Sequence, residues 1–109
     1  MAEEFRELFA KVRAFGWDDG KRDQTLRERG IDFDEVRFVF DGPTIAYRSD
    51  RTGEVRYLVF GFLDGREVAV VCTFRNDVCW IISARRARKD ERKKYHDRLP
   101  RRATPKGQD

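Results

Sequence analysis

Val55–Ser83 reads VRYLVFGFLDGREVAVVCTFRNDVCWIIS, and the periodicity of this stretch decides the fold. Three runs rich in Val, Phe, Tyr, Trp and Ile, namely Val55–Leu63, Glu67–Phe74 and Val78–Ser83, are joined through Asp64-Gly65 (with Arg66 after it) and Arg75-Asn76-Asp77. β-Branched and aromatic side chains suit a pleated, half-buried surface. Asp-Gly between two such runs is a strong hairpin signal, because a tight turn needs positive φ there. A fourth run, Thr44–Arg48, precedes them across the loop Ser49–Gly53. Connections this short join neighbouring strands antiparallel, which predicts a four-stranded antiparallel meander.

Before Pro43 the apolar period lengthens to that of a helix. Phe5, Leu8, Phe9 and Val12 mark one amphipathic face, predicting an N-terminal helix over residues 1–14, stopped by Gly16. A second helix is read from Asp18 to Arg29, with Gly30 as its stop. Asp32-Phe33-Asp34-Glu35 has the form of a capping box, with Ile31 and Val36 at the staple positions. It opens a third helix, about residues 33–40, stopped by Asp41-Gly42-Pro43. Beyond the strands, residues 87–99 are helical in pattern and strongly basic; Pro100 limits them, and RRATPKGQD reads as a flexible tail. Segregated helices and strands predict an α+β fold with the helices on one face of the sheet. A length of 109 residues fits one domain, residues 1–99, with 1–14 as an extra helix and 100–109 as a basic tail.

Charged residues make up 40% of the chain, against about a quarter in an ordinary domain. Their distribution is uneven. Residues 1–84 hold 13 basic and 16 acidic side chains, a net −3, while residues 85–109 hold 11 and 4, a net +7. A basic block of this kind is the footprint of a phosphate-backbone partner or, equally, a solubilising tail. Cys72 and Cys79 lie inside strand-like runs, and with His96 as the single histidine they complete no zinc set. They read as buried free thiols in a reducing compartment. No run approaches the roughly 18 apolar residues of a membrane span. The acidic start MAEEFRELFAKVRAF lacks the apolar core of a signal peptide. The expectation is a cytoplasmic protein with no membrane contact.

No HExxH, no paired acidic motif on a strand and no glycine-rich phosphate loop is present, so neither metal nor cofactor is expected. What remains is Ser83-Ala84-Arg85-Arg86-Ala87 followed by Glu91 and Tyr95, the last two four apart on one helix face. Arginine forks match phosphate geometry at any working pH, and a nearby carboxylate or phenol can accept a proton. The alternative is an ordinary solvated helix, with Glu91 paired to Arg88 or Lys94.

Two local signatures resemble a known family. Trp17-Asp18-Asp19-Gly20-Lys21, followed by Leu26-Arg-Glu-Arg-Gly-Ile-Asp-Phe33, is similar to the opening of the BrnT family of type II toxins. Ile81-Ile-Ser-Ala-Arg-Arg-Ala87, then Glu91-Arg92 and Tyr95, is similar to its closing signature, with Phe40–Pro43 and Arg56-Tyr57 in family order between them. Thr25, Arg29 and Arg88 depart from the family's Asn, His and Thr or Ser. The last change predicts that arginine, rather than a backbone amide, holds Glu91.

The resemblance implies a RelE-like ribonuclease that cleaves RNA without a metal, by attack of the ribose 2′-hydroxyl on the adjacent phosphate. It further implies a cognate BrnA-like antitoxin and a toxin–antitoxin hetero-oligomer. On that reading Arg85 stabilises the phosphate, with Arg56 and Arg75 as second choices, and Glu91 or Tyr95 handles protons. Lys21, Arg75, Arg86 and Trp17 are the candidate RNA contacts, Trp17 as a stacking platform or else as core; Trp80 reads as core or partner interface. Two other classes remain open on the residues alone: a non-catalytic nucleic-acid-binding module, and a scaffold whose basic surface meets an acidic partner.

Overall fold

The computed structural model describes residues 3–99. The elements are α1 (Glu3–Phe9), β1 (Ala14–Trp17), α2 (Asp19–Arg29), α3 (Phe33–Val36) continued by a 3-10 turn (Arg37–Asp41), β2 (Ile45–Arg48), β3 (Tyr57–Leu63), β4 (Arg66–Arg75), β5 (Val78–Arg86) and α4 (Lys89–Arg98). The fold is α+β, with one mixed sheet of five strands ordered β1-β5-β4-β3-β2.

The predicted meander therefore needs a correction. β2 to β5 run antiparallel in sequence order, but a fifth strand, β1, pairs parallel with β5. It occupies residues assigned above to a helix and its stop. The N-terminal helix ends at Phe9, and Gly16 is a strand residue rather than a helix terminator. The pairing explains the glycine: a Cβ there would lie 2.8 Å from the Trp80 ring of β5.

α2 has the ends read for it. The Asp18 carboxylate accepts from the Lys21 amide, and Gly30 at φ 69° returns its N–H to Leu26. The third helix is shorter than predicted. Asp32 caps it through the Asp34 amide, and the same carboxylate is gripped by Arg22 at 2.7 and 3.1 Å. After one turn it tightens to 3-10 geometry. Phe33, Val36 and Val39 are all buried. Their spacing of three matches the 3-10 repeat, not the 3.6 of an α-helix. Val39 then fits against Gly61 of β3, where any Cβ would collide with it.

Helices cover both faces of the sheet, not one. On the first face Val59, Val68, Val70, Cys72, Cys79 and Ile81 pack against α1, α3 and the 3-10 turn. Both cysteines are free and fully buried there. On the second face α4 seats Tyr95 on Ile45, Phe60 and Ala69. Residues 100–109, read above as a tail, lie outside the described residues.

Candidate functional site

Side chains alternate across a strand, and the register at the end of β5 separates two arginines that are adjacent in sequence. Ala84 is opposite Val70 in the first-face core, Arg85 is opposite Ala69 on the second face, and Arg86 is opposite Val68 on the first. Arg85 thus points to the side covered by α4. Arg86 lines a polar cleft of about 270 Å³ with Asp32, Glu35, Asp64 and Arg66 on the other side.

β5 turns into α4 at Ala87, whose amide is taken by the Glu67 carbonyl at 3.0 Å. This brings the first turn of α4 back over the Arg85 side chain. Two guanidinium nitrogens of Arg85 donate to the two carboxylate oxygens of Glu91, at 2.7 and 3.0 Å. Glu91 also accepts from the Arg88 backbone amide at 2.8 Å, so it satisfies one of the open N–H groups at the helix start. The expectation of arginine in place of an amide is corrected: Glu91 has both, because the amide bond needs only the Glu91 side chain and is indifferent to residue 88. Arg88 and Lys94 contribute no side-chain ion pair to it. The Arg85 contacts, with the Arg88 amide, hold the Glu91 carboxyl down at about 2, while Arg85 itself is raised by Glu91. The Arg85 side chain keeps 28% of its surface exposed and Glu91 13%, so the pair is fixed yet reachable.

Tyr95, one turn further along α4, is fully buried. Its hydroxyl donates to the Pro43 carbonyl at 2.7 Å, and burial pushes its ionisation well above the usual tyrosine range. Its ring is part of the second-face core. His96, which the sequence reading set aside, meets Glu67 at 2.7 Å and clamps α4 onto β4.

A second group of arginines lies further along the same face. Glu54 accepts from Arg56 at 2.8 Å and lies 3.6 Å from Arg75. The Arg75 guanidinium in turn lies over the Trp80 ring, 4.6 Å from its centroid. Trp80 is opposite Thr73 on β4, and the Thr73 hydroxyl donates to the Val55 carbonyl, so Arg56, Arg75 and Trp80 sit at one level of the sheet. At ~3.3 Å per strand residue, that level is roughly 15 Å from Arg85. Between the two groups runs a partly exposed cross-strand row, Leu58, Val71 and Ser83. Arg56 is therefore not beside Arg85, but shares its face.

The remaining candidates stand elsewhere. Trp17 is opposite Ile81, on the first face, half-buried against the core with Arg22 near its ring at 5.8 Å. Lys21 is exposed on α2. Neither they nor Arg86 share the Arg85 face. Trp80, whose aromatic type reads as core in a strand, stands on the Arg85 face, and Arg29 of α2 reaches the β5 backbone. Arg29 donates to the Ala84 carbonyl at 2.9 Å, at a level of β5 beyond the end of β1.

An arginine fork held by a carboxylate, beside a partly exposed sheet face with more arginines, is suited to binding a phosphodiester. The model of one family, "Ribonuclease toxin, BrnT, of type II toxin-antitoxin system", matches residues 17–91. The chain belongs to the BrnT family. Its fold is also similar to that in the 1.1 Å crystal structure of the Brucella abortus ribonuclease toxin BrnT, with TM-score 0.54 and 22% identity over 72% of this chain and 100% of that one. No curated protein is a significant match. In this BrnT-family chain, α1 and most of β1 precede the matched segment. Among the described residues, no helix is long and apolar enough to cross a membrane, and no three His, Cys, Asp or Glu side chains gather to hold a metal ion.

Proposed function

We propose that this toxin cleaves RNA without a metal, by attack of a ribose 2′-hydroxyl on the adjacent phosphate, and so inhibits translation in the cytoplasm until an antitoxin covers the site. The observation that carries the reading is the two-pronged Arg85–Glu91 pair at the start of α4. Phosphoester cleavage of this type needs in-line positioning, donors for charge on the phosphate oxygens, and a proton acceptor. Arg85 supplies the donors. Glu91 orients it in the free protein. When Arg85 turns its N–H groups to the scissile phosphate, the main cause of the low Glu91 pKa is removed. The carboxylate, still held by the Arg88 amide, regains proton affinity and takes the 2′-hydroxyl proton as the P–O2′ bond forms; the P–O5′ bond breaks to leave a 2′,3′-cyclic phosphate, and the departing 5′-oxygen takes its proton from solvent. Tyr95 acts through α4, as the anchor that keeps Glu91 over Arg85. Arg56 and Arg75 bind flanking phosphates. Lys21, Arg86 and Trp17 contact RNA only where it wraps to the other face.

The same basic surface suits a BrnA-like antitoxin in a toxin–antitoxin hetero-oligomer, since an acidic inhibitor is drawn by the field that draws RNA. The fold assignment that goes with this mechanism is RelE-like. The test is cleavage of single-stranded RNA and matched DNA by partner-free protein, with and without EDTA. RNA cut in EDTA and DNA left intact supports the reading. Activity that vanishes with chelator and returns with a divalent ion defeats the mechanism, and RNA binding without cleavage replaces it with a non-catalytic module.

A further inference from the structure

Trp80 is a large aromatic on the Arg85 face that the mechanism above does not use. Its ring lies across Gly16, the one residue type of β1 that leaves room for it, since a Cβ would come within 2.8 and 2.9 Å of two ring carbons. The outer neighbour is the Arg75 guanidinium at 4.6 Å, with half of its side chain exposed. Glu54 ties Arg75 to Arg56 at the same level. A buttressed indole under an exposed guanidinium is thus joined to Arg85 by the row Leu58, Val71 and Ser83.

From this geometry we infer that Trp80 and Arg75 form a nucleobase subsite that holds an unpaired base a short distance along the strand from the scissile phosphate, and so sets where the RNA is cut. The inference rests on the ribonuclease reading of Arg85. Bases of single-stranded RNA stack on aromatic rings and on arginine planes, which duplexes cannot offer in the same way. Stacking tolerates any base, so discrimination comes from stacking strength and from the groups at the rim. Arg56 and Arg75 carry charge complementary to the phosphates on either side of the stacked base. An acidic protein segment meets the charges but gains nothing from a flat platform. Single-stranded RNA uses both.

Fluorescence is read on the full chain in a Trp17→Phe background, where Trp80 is the one remaining tryptophan of the two, and cleavage is read on the full chain with Trp17 in place. Intrinsic fluorescence is titrated with a 2′-O-methyl oligoribonucleotide, which binds without being cut, and cleavage kinetics are measured on the matching RNA. Saturable quenching is expected, together with a KM raised roughly 5- to 150-fold in Trp80→Ala, a kcat close to that of the parent, and an altered pattern of cut sites. Trp80→Phe, which keeps a flat ring on Gly16, should restore most of the loss and guards against misfolding of the alanine variant. Oligonucleotide binding without any change in Trp80 fluorescence overturns the subsite. So does cleavage by Trp80→Ala at the parental KM and the same sites, even if antitoxin binding is weakened. Quenching by oligonucleotide in a protein that cuts no RNA keeps the subsite and sinks the ribonuclease reading instead. Neither binding nor cleavage overturns both.

Discussion

The Tyr95 hydroxyl reaches across the sheet edge to the Pro43 carbonyl at 2.7 Å, joining α4 to the chain just before β2. The ring also packs on Phe62 at 5.3 Å and lies next to His96. These contacts make Tyr95 a support of α4, and on the proposed mechanism it touches no substrate. Tyr95→Phe should keep the ring packing and lose one buried hydrogen bond, lowering stability by about 1 kcal/mol. Cleavage should stay within about threefold of the parent. A loss of 100-fold or more, in a variant of normal stability, would return Tyr95 to proton transfer.

Replacing Arg85 by Ala should lower the cleavage rate by about 10²–10³, the usual cost of removing one preorganised donor to transition-state charge. Arg85→Lys should recover little, because an ammonium cannot grip both Glu91 oxygens in the free protein, nor two phosphate oxygens once it has exchanged Glu91 for RNA, as a planar fork does. Single-turnover rates with saturating RNA are the measurement. Normal growth inhibition by Arg85→Ala would show that another residue carries the charge.

The meander and α2 were legible because each is specified locally. Asp64-Gly65 and Arg75–Asp77 sit between runs that alternate, and Asp18 and Gly30 bracket a helix of ordinary length. β1 was not legible for the opposite reason. Only Ala14–Trp17 belong to it, and its partner in β5 is more than 60 residues away. The third helix was over-read because the capping signature at Asp32 is local, whereas the Val39–Gly61 contact that tightens the next turn is not. At the site, residue types pointed to Arg85 and Glu91 but not to the sheet faces. The position of β5 within its register decides that Arg85 and Trp80 belong together while Arg86 and Trp17 do not.

Glu91 should make an acid-sensitive contribution to stability. Its carboxyl is held at about 2, against 4.5 for an unperturbed glutamate, by Arg85 first and the Arg88 amide after it. A group lowered on folding stabilises the native state above its unfolded value and loses that contribution as pH falls through the folded one. The loss should therefore fall between pH 4.5 and about 2. Glu91→Gln should be less stable than the parent at pH 7 and should show a flatter decline across that window in urea unfolding. Parallel curves for the two proteins would mean that the pair contributes nothing to the folded state.

The three arginines of the Arg85 face should each be visible in the salt dependence of RNA binding. Binding to single strands releases counterions in proportion to the phosphates neutralised, with a slope of log K against log salt of about −0.7 per phosphate. Arg56, Arg75 and Arg85 all engaging phosphates give a slope of about −2 from this face. Arg56 and Arg75 share the single carboxylate of Glu54, at 2.8 and 3.6 Å, and Arg85 is matched by Glu91. RNA must therefore compete with these acids, and the arginines exchange one partner for another rather than gaining one. Arg56→Ala and Arg75→Ala should each lower the magnitude of the slope by about 0.7, and Arg56→Ala should weaken binding to all sequences alike. Arg86→Ala, on the opposite face, should change the slope least for oligonucleotides too short to wrap round the sheet edge. The assay is filter binding of a 2′-O-methyl oligoribonucleotide at four or more salt concentrations. A slope lowered more by Arg86→Ala than by Arg75→Ala would move the RNA path to the other side of the sheet.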